Sequence, residues 1–126
     1  MTTPAGRRRI AEGLGRQAEI EAMAMLSAQG FERLACRFRC GREAGEIDLI
    51  VRRGSLVVFV EVKARASLEE ALESVTPRQQ RRIARAAEGF LQQRPEFAGL
   101  DCRFDVVVIT PGRSPRHLPD AWRPEG

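Results

Sequence analysis

The run GEIDLIVRRGSLVVFVEVKAR, residues 45–65, decides how this chain folds. Glu46 to Arg53 and Ser55 to Arg65 are two runs rich in β-branched residues that meet at Arg53-Gly54, and this predicts a β-hairpin. Side chains alternate faces along a strand, so the register decides which of them meet. Ile47, Leu49 and Val51 make an apolar face on the first strand; Leu56, Val58, Val60 and Val62 make one on the second. A two-residue turn at Arg53-Gly54 superimposes these faces by pairing Val51 with Leu56, Leu49 with Val58 and Ile47 with Val60. The opposite face then carries Glu46, Asp48 and Ile50 beside Val57, Phe59, Glu61 and Lys63. On that register Glu46 stands across from Glu61, and Asp48 lies diagonal to it at about 7–8 Å.

The rest of the chain arranges itself around this hairpin. Upstream, Ala11, Leu14, Ala18, Ala22, Met25 and Leu26 form a helical stripe within Ile10 to Gln29, stopped by Gly30 in the capping position. Phe31 to Arg39 is a weakly patterned strand, and Gly41 to Gly45 a polar loop. Downstream, an acidic connector runs through Ser74. Thr76 and Pro77 then supply an N-cap and a first-turn proline for a helix carrying Ile83, Ala86, Ala87, Phe90 and Leu91, which Pro95 ends. Arg103 to Thr110 reads as a buried last strand. The expected order is α-β-β-β-α-β: an α/β domain over residues 11–110, with a mixed sheet flanked by helices. A loose basic arm is expected at 1–10 and a proline-rich tail at 111–126, with His117 solvated.

The chain has 126 residues, 43% hydrophobic and 30% charged, which suits one globular domain and excludes a multidomain machine, a fibrous repeat and wholesale disorder. The longest apolar runs, Leu56 to Val60 among them, are far short of the roughly 20 residues that span a bilayer. Glu12, Arg16, Glu19 and Glu21 interrupt any leader-like core after Arg7 to Arg9, so no membrane association and a cytoplasmic location are expected. The three cysteines read as reduced thiols. Cys36 and Cys40, about 13 Å apart if on one strand, make a poor zinc pair. The net charge is +4, which permits an anionic partner without requiring one. Of the 21 basic residues Lys63 alone is lysine.

Carboxylates facing one another on a sheet repel, so Glu46, Asp48 and Glu61 want a compensating cation. Lys63, two residues from Glu61 on the same face, is one. A hard divalent ion is the other, since carboxylates without thiolate or imidazole select Mg²⁺ or Mn²⁺. A metal so held activates water and polarises a phosphoryl oxygen, and a nearby lysine steadies phosphate charge or handles a proton. Arginine stays protonated and cannot do the latter. Spacing alone equally allows a structural ion pair between Glu61 and Lys63, with Glu46 and Asp48 in water.

GEIDLI at Gly45 to Ile50 followed by VFVEVKAR at Val58 to Arg65 resembles the bipartite PD-(D/E)xK motif of restriction-endonuclease-like nucleases. With GRQAEIEA (Gly15 to Ala22), TPRQQRRI (Thr76 to Ile83) and RFDVVVI (Arg103 to Ile109), the chain looks like the YraN family, which is similar to archaeal Holliday junction resolvases. The resemblance implies a restriction-endonuclease-like core, with Asp48 and Glu61 as metal ligands and Lys63 as the catalytic lysine. Ile47 stands where the motif's name has proline. Glu19 matches a glutamate that resolvase-like members add to the metal site, and Gln79 a supporting polar position in the second helix, for which Arg78 and Gln80 compete. Glu46 completes the acidic group.

Arg78, Arg81, Arg82 and Arg85 follow three- and four-residue steps, forming a basic ridge that neutralises phosphates or simply faces water. With no tyrosine and one tryptophan, base stacking is a poor fit and backbone recognition a better one. The expected function is Mg²⁺- or Mn²⁺-dependent, endonuclease-like hydrolysis of DNA phosphodiesters in duplex or branched DNA, with a homodimer suggested by the resemblance. The alternative is a non-catalytic nucleic-acid-binding protein that retains the fold.

Overall fold

In the computed structural model, which describes residues 4–42 and 44–124 with side chains from residue 15 onward, the hairpin forms with its turn one residue later than expected. Strand β2 (Ile47–Arg53) and strand β3 (Leu56–Ala64) close on the pair Arg53↔Leu56, leaving Gly54-Ser55 as the turn. Hairpin turns of two residues need a positive φ at their first position, which Gly54 supplies at +60° and Arg53 would resist. Partners shift by two residues, to Leu49↔Val60 and Val51↔Val58. A two-residue shift leaves the paired side chains from Leu49 to Val60 on the faces predicted for them, but changes which acids stand opposite each other.

Around the hairpin lies a five-stranded mixed sheet in the order β1-β2-β3-β4-β5, with β1 (Glu32–Phe38), β4 (Asp101–Ile109) and β5 (Arg116–Trp122). Only β3 and β4 are parallel, joined through α2 (Leu68–Ser74), α3 (Pro77–Gln93) and a 3₁₀ turn at Pro95–Phe97. This is the expected α/β class, consistent with a restriction-endonuclease-like core. Helix α1 (Pro4–Ala28) lays Ala22 and Leu26 on Leu49, Val51, Val58, Val60 and Val107. On the other face α3 sets Ile83, Ala86, Ala87 and Phe90 against Ile50, Val57, Phe59 and Val106. Ile47, expected with Leu49, joins this second cluster instead.

The helix ends follow local chemistry. Gly30, at φ +91°, closes α1 with its amide donating to Ser27 and the Phe31 amide to Leu26, both at 3.0 Å. Thr76 Oγ1 accepts from the Gln79 amide at 3.2 Å and caps α3 ahead of Pro77.

Several expectations need correction. The acidic connector is helical over Leu68–Ser74, capped by Ser67 Oγ accepting from the Glu70 amide at 3.1 Å. The arm read at 1–10 falls within α1 from Pro4; residues 1–3 and the side chains of Arg7 to Arg9 lie outside the described residues. The tail supplies β5, with Trp122 buried on Phe104 at a ring distance of 4.2 Å. Nor is His117 solvated, for its Nε2 lies 2.6 Å from Asp105 Oδ2 and its Nδ1 3.1 Å from Gln29 Oε1. Asp105 is fully buried, gripped by the Arg103 fork at 2.8 Å through both oxygens and by the Asp120 amide at 3.0 Å.

Candidate functional site

The β2–β3 pairing ends at Leu49↔Val60, so the next residues along each strand, Asp48 and Glu61, stand directly opposite one another. This replaces the expected confrontation of Glu46 with Glu61. The Val62 amide donates to Asp48 Oδ2 at 2.8 Å, fixing that carboxylate against β3. Glu46, just before β2, turns away to Arg39, whose Nε donates to its Oε2 at 3.0 Å.

Glu61 is the most enclosed acid of the group, with a side chain 5% exposed. Its Oε2 accepts from Gln79 Nε2 at 3.3 Å and lies 3.8 Å from Lys63 Nζ. Lys63 Nζ donates in turn to Gln79 Oε1 at 3.3 Å, so one amide orients both the acid and the base. Gln80 instead donates to the Val75 carbonyl, and Arg78 is exposed, which leaves Gln79 as the α3 residue that reaches the acids. The other oxygen of Glu61, Oε1, is buried and has no hydrogen-bond partner.

Electrostatically the pair is short of positive charge. Burial first, then the adjacent Asp48 charge, pushes the Glu61 carboxyl up to about 8 against the pull of Lys63. Burial likewise raises Asp48 to about 6, the Val62 amide and Lys63 opposing and the Glu19 charge adding to the rise. Two facing acids held this way gain from any cation brought between them.

Helix α3 reaches the site because Gly45 lets it. The Gly45 amide donates to the Arg82 carbonyl at 3.0 Å, and a Cβ there would stand 3.1 Å from Arg82 Cβ. The resulting cleft is bordered by Glu46, Asp48, Glu61, Lys63, Gln79, Arg39, Arg65 and Arg82. Of the basic ridge, therefore, Arg82 lines the acidic cleft, Arg81 and Arg85 line a separate groove with Pro124, and Arg78 points outward. Glu19 lies in an adjoining cleft with Arg37 and Glu46, its Oε2 accepting from Arg37 Nε at 3.0 Å. Among the described residues no three carboxylate, imidazole or thiolate groups converge as a ready-made metal cage. Asp48 and Glu61 are brought together, while Glu19 and Glu46 each face an arginine.

Sequence reasoning missed Arg37 and Arg39, whose alternate spacing at the end of β1 was their only signal, and Arg65, next but one to Lys63. It also missed Asp105. Its partners His117 and Asp120 come from β5, a strand the sequence reading did not assign.

A profile described as "Uncharacterised protein family UPF0102" matches residues 18–109. A UPF0102 protein of Paramagnetospirillum magneticum is 50% identical over 122 residues, 95% of each chain. One of Parvibaculum lavamentivorans is 53% identical over 111 residues, 88% of this chain and 82% of its own. Methylorubrum extorquens has one that is 46% identical over 123 residues, 98% and 94% of the two chains. The segments that build the hairpin, the acidic cleft and α3 thus fall inside the matched region, and the chain belongs to the UPF0102 (YraN) family.

Proposed function

We propose that the protein is a divalent-metal-dependent, endonuclease-like hydrolase of DNA phosphodiesters. The observation that carries this reading is the orphaned, buried Oε1 of Glu61, a residue that stands opposite Asp48 with Lys63 and Gln79 beside it. A carboxylate oxygen without a donor is suited to a metal, and the donor set is all hard oxygen, as Mg²⁺ and Mn²⁺ prefer. Mg²⁺ keeps several waters and takes one or two protein carboxylates, so Asp48 and Glu61 suffice without a third acid. Bound there, the cation supplies charge to phosphoryl oxygens and acidifies water.

The chain's own residues do the remainder. Asp48, fixed by the Val62 amide, and Glu61, fixed by Gln79, would hold the cation between them from facing positions on β2 and β3. Lys63, held by Gln79, places its ammonium against the scissile phosphate, where it steadies developing charge. Arg39, Arg65 and Arg82 around the cleft meet the neighbouring phosphates of a polyanion. The same reading puts the protein in the cytoplasm, where duplex and branched DNA are its substrates, and gives it a homodimeric form checked by sedimentation.

Purified protein with Mg²⁺ or Mn²⁺ is expected to cut duplex or branched DNA, and Asp48→Ala and Lys63→Ala to lower the rate by about 100-fold or more. Absence of cleavage on duplex, single-stranded and branched DNA, or cleavage that survives both substitutions, would falsify the reading.

A further inference from the structure

Arg37 is oddly placed. The pairs Cys36↔Leu49 and Phe38↔Ile47 put it level with Asp48 on the neighbouring strand, so Arg37, Asp48 and Glu61 form a row across β1, β2 and β3. A cation adjacent to a repelling acid pair would be expected to neutralise it, yet Arg37 Nε reaches Glu19 of α1 instead. Its backbone has φ +49°, a left-handed conformation that strains a non-glycine residue. Glu19 is enclosed, 17% exposed, while the arginine is 44% exposed. Glu46 borders both the cleft that holds Glu19 and the cleft that holds Asp48 and Glu61, so the two adjoin at that residue.

We propose that the Arg37–Glu19 ion pair is a latch, keeping a third carboxylate off the metal site formed by Asp48 and Glu61 until an anionic phosphodiester arriving at Arg37 opens it. The inference rests on the metal-site reading above. The pair is made for exchange: a single Nε contact with a half-exposed guanidinium is a weak tie. A phosphate competes for such a guanidinium well, since it accepts two parallel hydrogen bonds from the fork. Glu19, once released, is left partly buried without its arginine, and a divalent ion beside Asp48 and Glu61 draws it in. The device ties metal affinity to substrate: the third carboxylate adds its hold only when DNA is present, and by linkage each ligand strengthens the other equally.

Calorimetric titration of the full chain with Mn²⁺ tests the latch without measuring turnover. Arg37→Gln is expected to bind Mn²⁺ about fivefold or more tightly than wild type. Glu19→Gln alone changes little, and in the Glu19→Gln background Arg37→Gln gives no gain. A phosphorothioate duplex, added to wild type, reproduces the gain and adds none to Arg37→Gln. If the gain persists without Glu19, it comes from removing a positive charge, and the latch is overturned. Binding by wild type with no gain in Arg37→Gln overturns it too, leaving the metal site standing. Failure of every variant to bind Mn²⁺ overturns the metal reading and the latch together.

Discussion

Glu61 shows at the scale of one residue what burial does to an acid. Its raised value and that of Asp48 mean that the folded chain holds protons that the unfolded chain gives up between the ordinary 4.5 and about 8. Stability from this source is fully present below that window and lost as pH rises through it. In chelator, wild type should therefore lose melting temperature relative to Glu61→Gln between pH 4 and pH 8, and Mn²⁺ should restore it at the alkaline end. A difference between the two proteins that is flat with pH would count against the buried pair. Gln79→Ala removes the one amide that holds Glu61 Oε2 and Lys63 Nζ. A cost of about 1–3 kcal/mol is expected, read from the urea midpoint.

Among the elements, α3 does the most to shape the site, and Gly45 sets its distance. Gly45→Ala places a methyl 3.1 Å from Arg82 Cβ and 3.5 Å from the Ile83 amide nitrogen, against a helix packed on the sheet. About 1–3 kcal/mol of destabilisation is expected. As α3 backs off, Gln79 leaves Glu61, so Mn²⁺ affinity should fall in the same variant; unchanged affinity would show that the approach of α3 does not matter to the acids. The elements themselves were legible to different degrees. The period of two assigned the acids and Lys63 to one face, but it cannot distinguish registers two residues apart, which is why the opposing pair was misassigned. Turn chemistry at Gly54 could have decided it. Thr76-Pro77 announced α3, and Ser67 with Glu70 announced α2 in the same language, though the acidic composition around them read as a connector. Pro115 just before β5 and Pro119 within it hid the strand, since proline is tolerated at a sheet edge.

Across the whole molecule, Asp105 ties the last strand to the rest. Burial would raise its pKa, but hydrogen bonds from His117, Arg103 and the Asp120 amide outweigh that and hold the carboxyl below the ordinary range. Such a group stabilises the fold above the ordinary 3.8 and loses that contribution as pH falls through its depressed value. Asp105→Asn should cost about 3–5 kcal/mol, because it leaves Arg103 and His117 around a neutral partner. The single tryptophan, Trp122 on β5, makes the loss visible: its fluorescence should shift at lower urea than the helical signal in the variant, and together with it in wild type. Nothing in the spacing of RFDVVVI tells a buried tether from an exposed acid; only the arrival of His117 and Asp120 from β5 does, and that is a contact no local pattern encodes.

The parallel pairing of β3 with β4 also sets an order of events during synthesis. Helix α1 and strands β1 to β3 are sequential neighbours and can meet as they leave the ribosome, whereas β4 docks only after the crossover, as with Arg65 and Thr110, 45 residues apart. Asp48 and Glu61 therefore face each other in the nascent chain before α3 brings Gln79 and before β4 covers the far edge of β3. The growing hairpin carries its facing acids without Gln79 for that interval, with Lys63 two residues from Glu61 on β3 as their nearby cation.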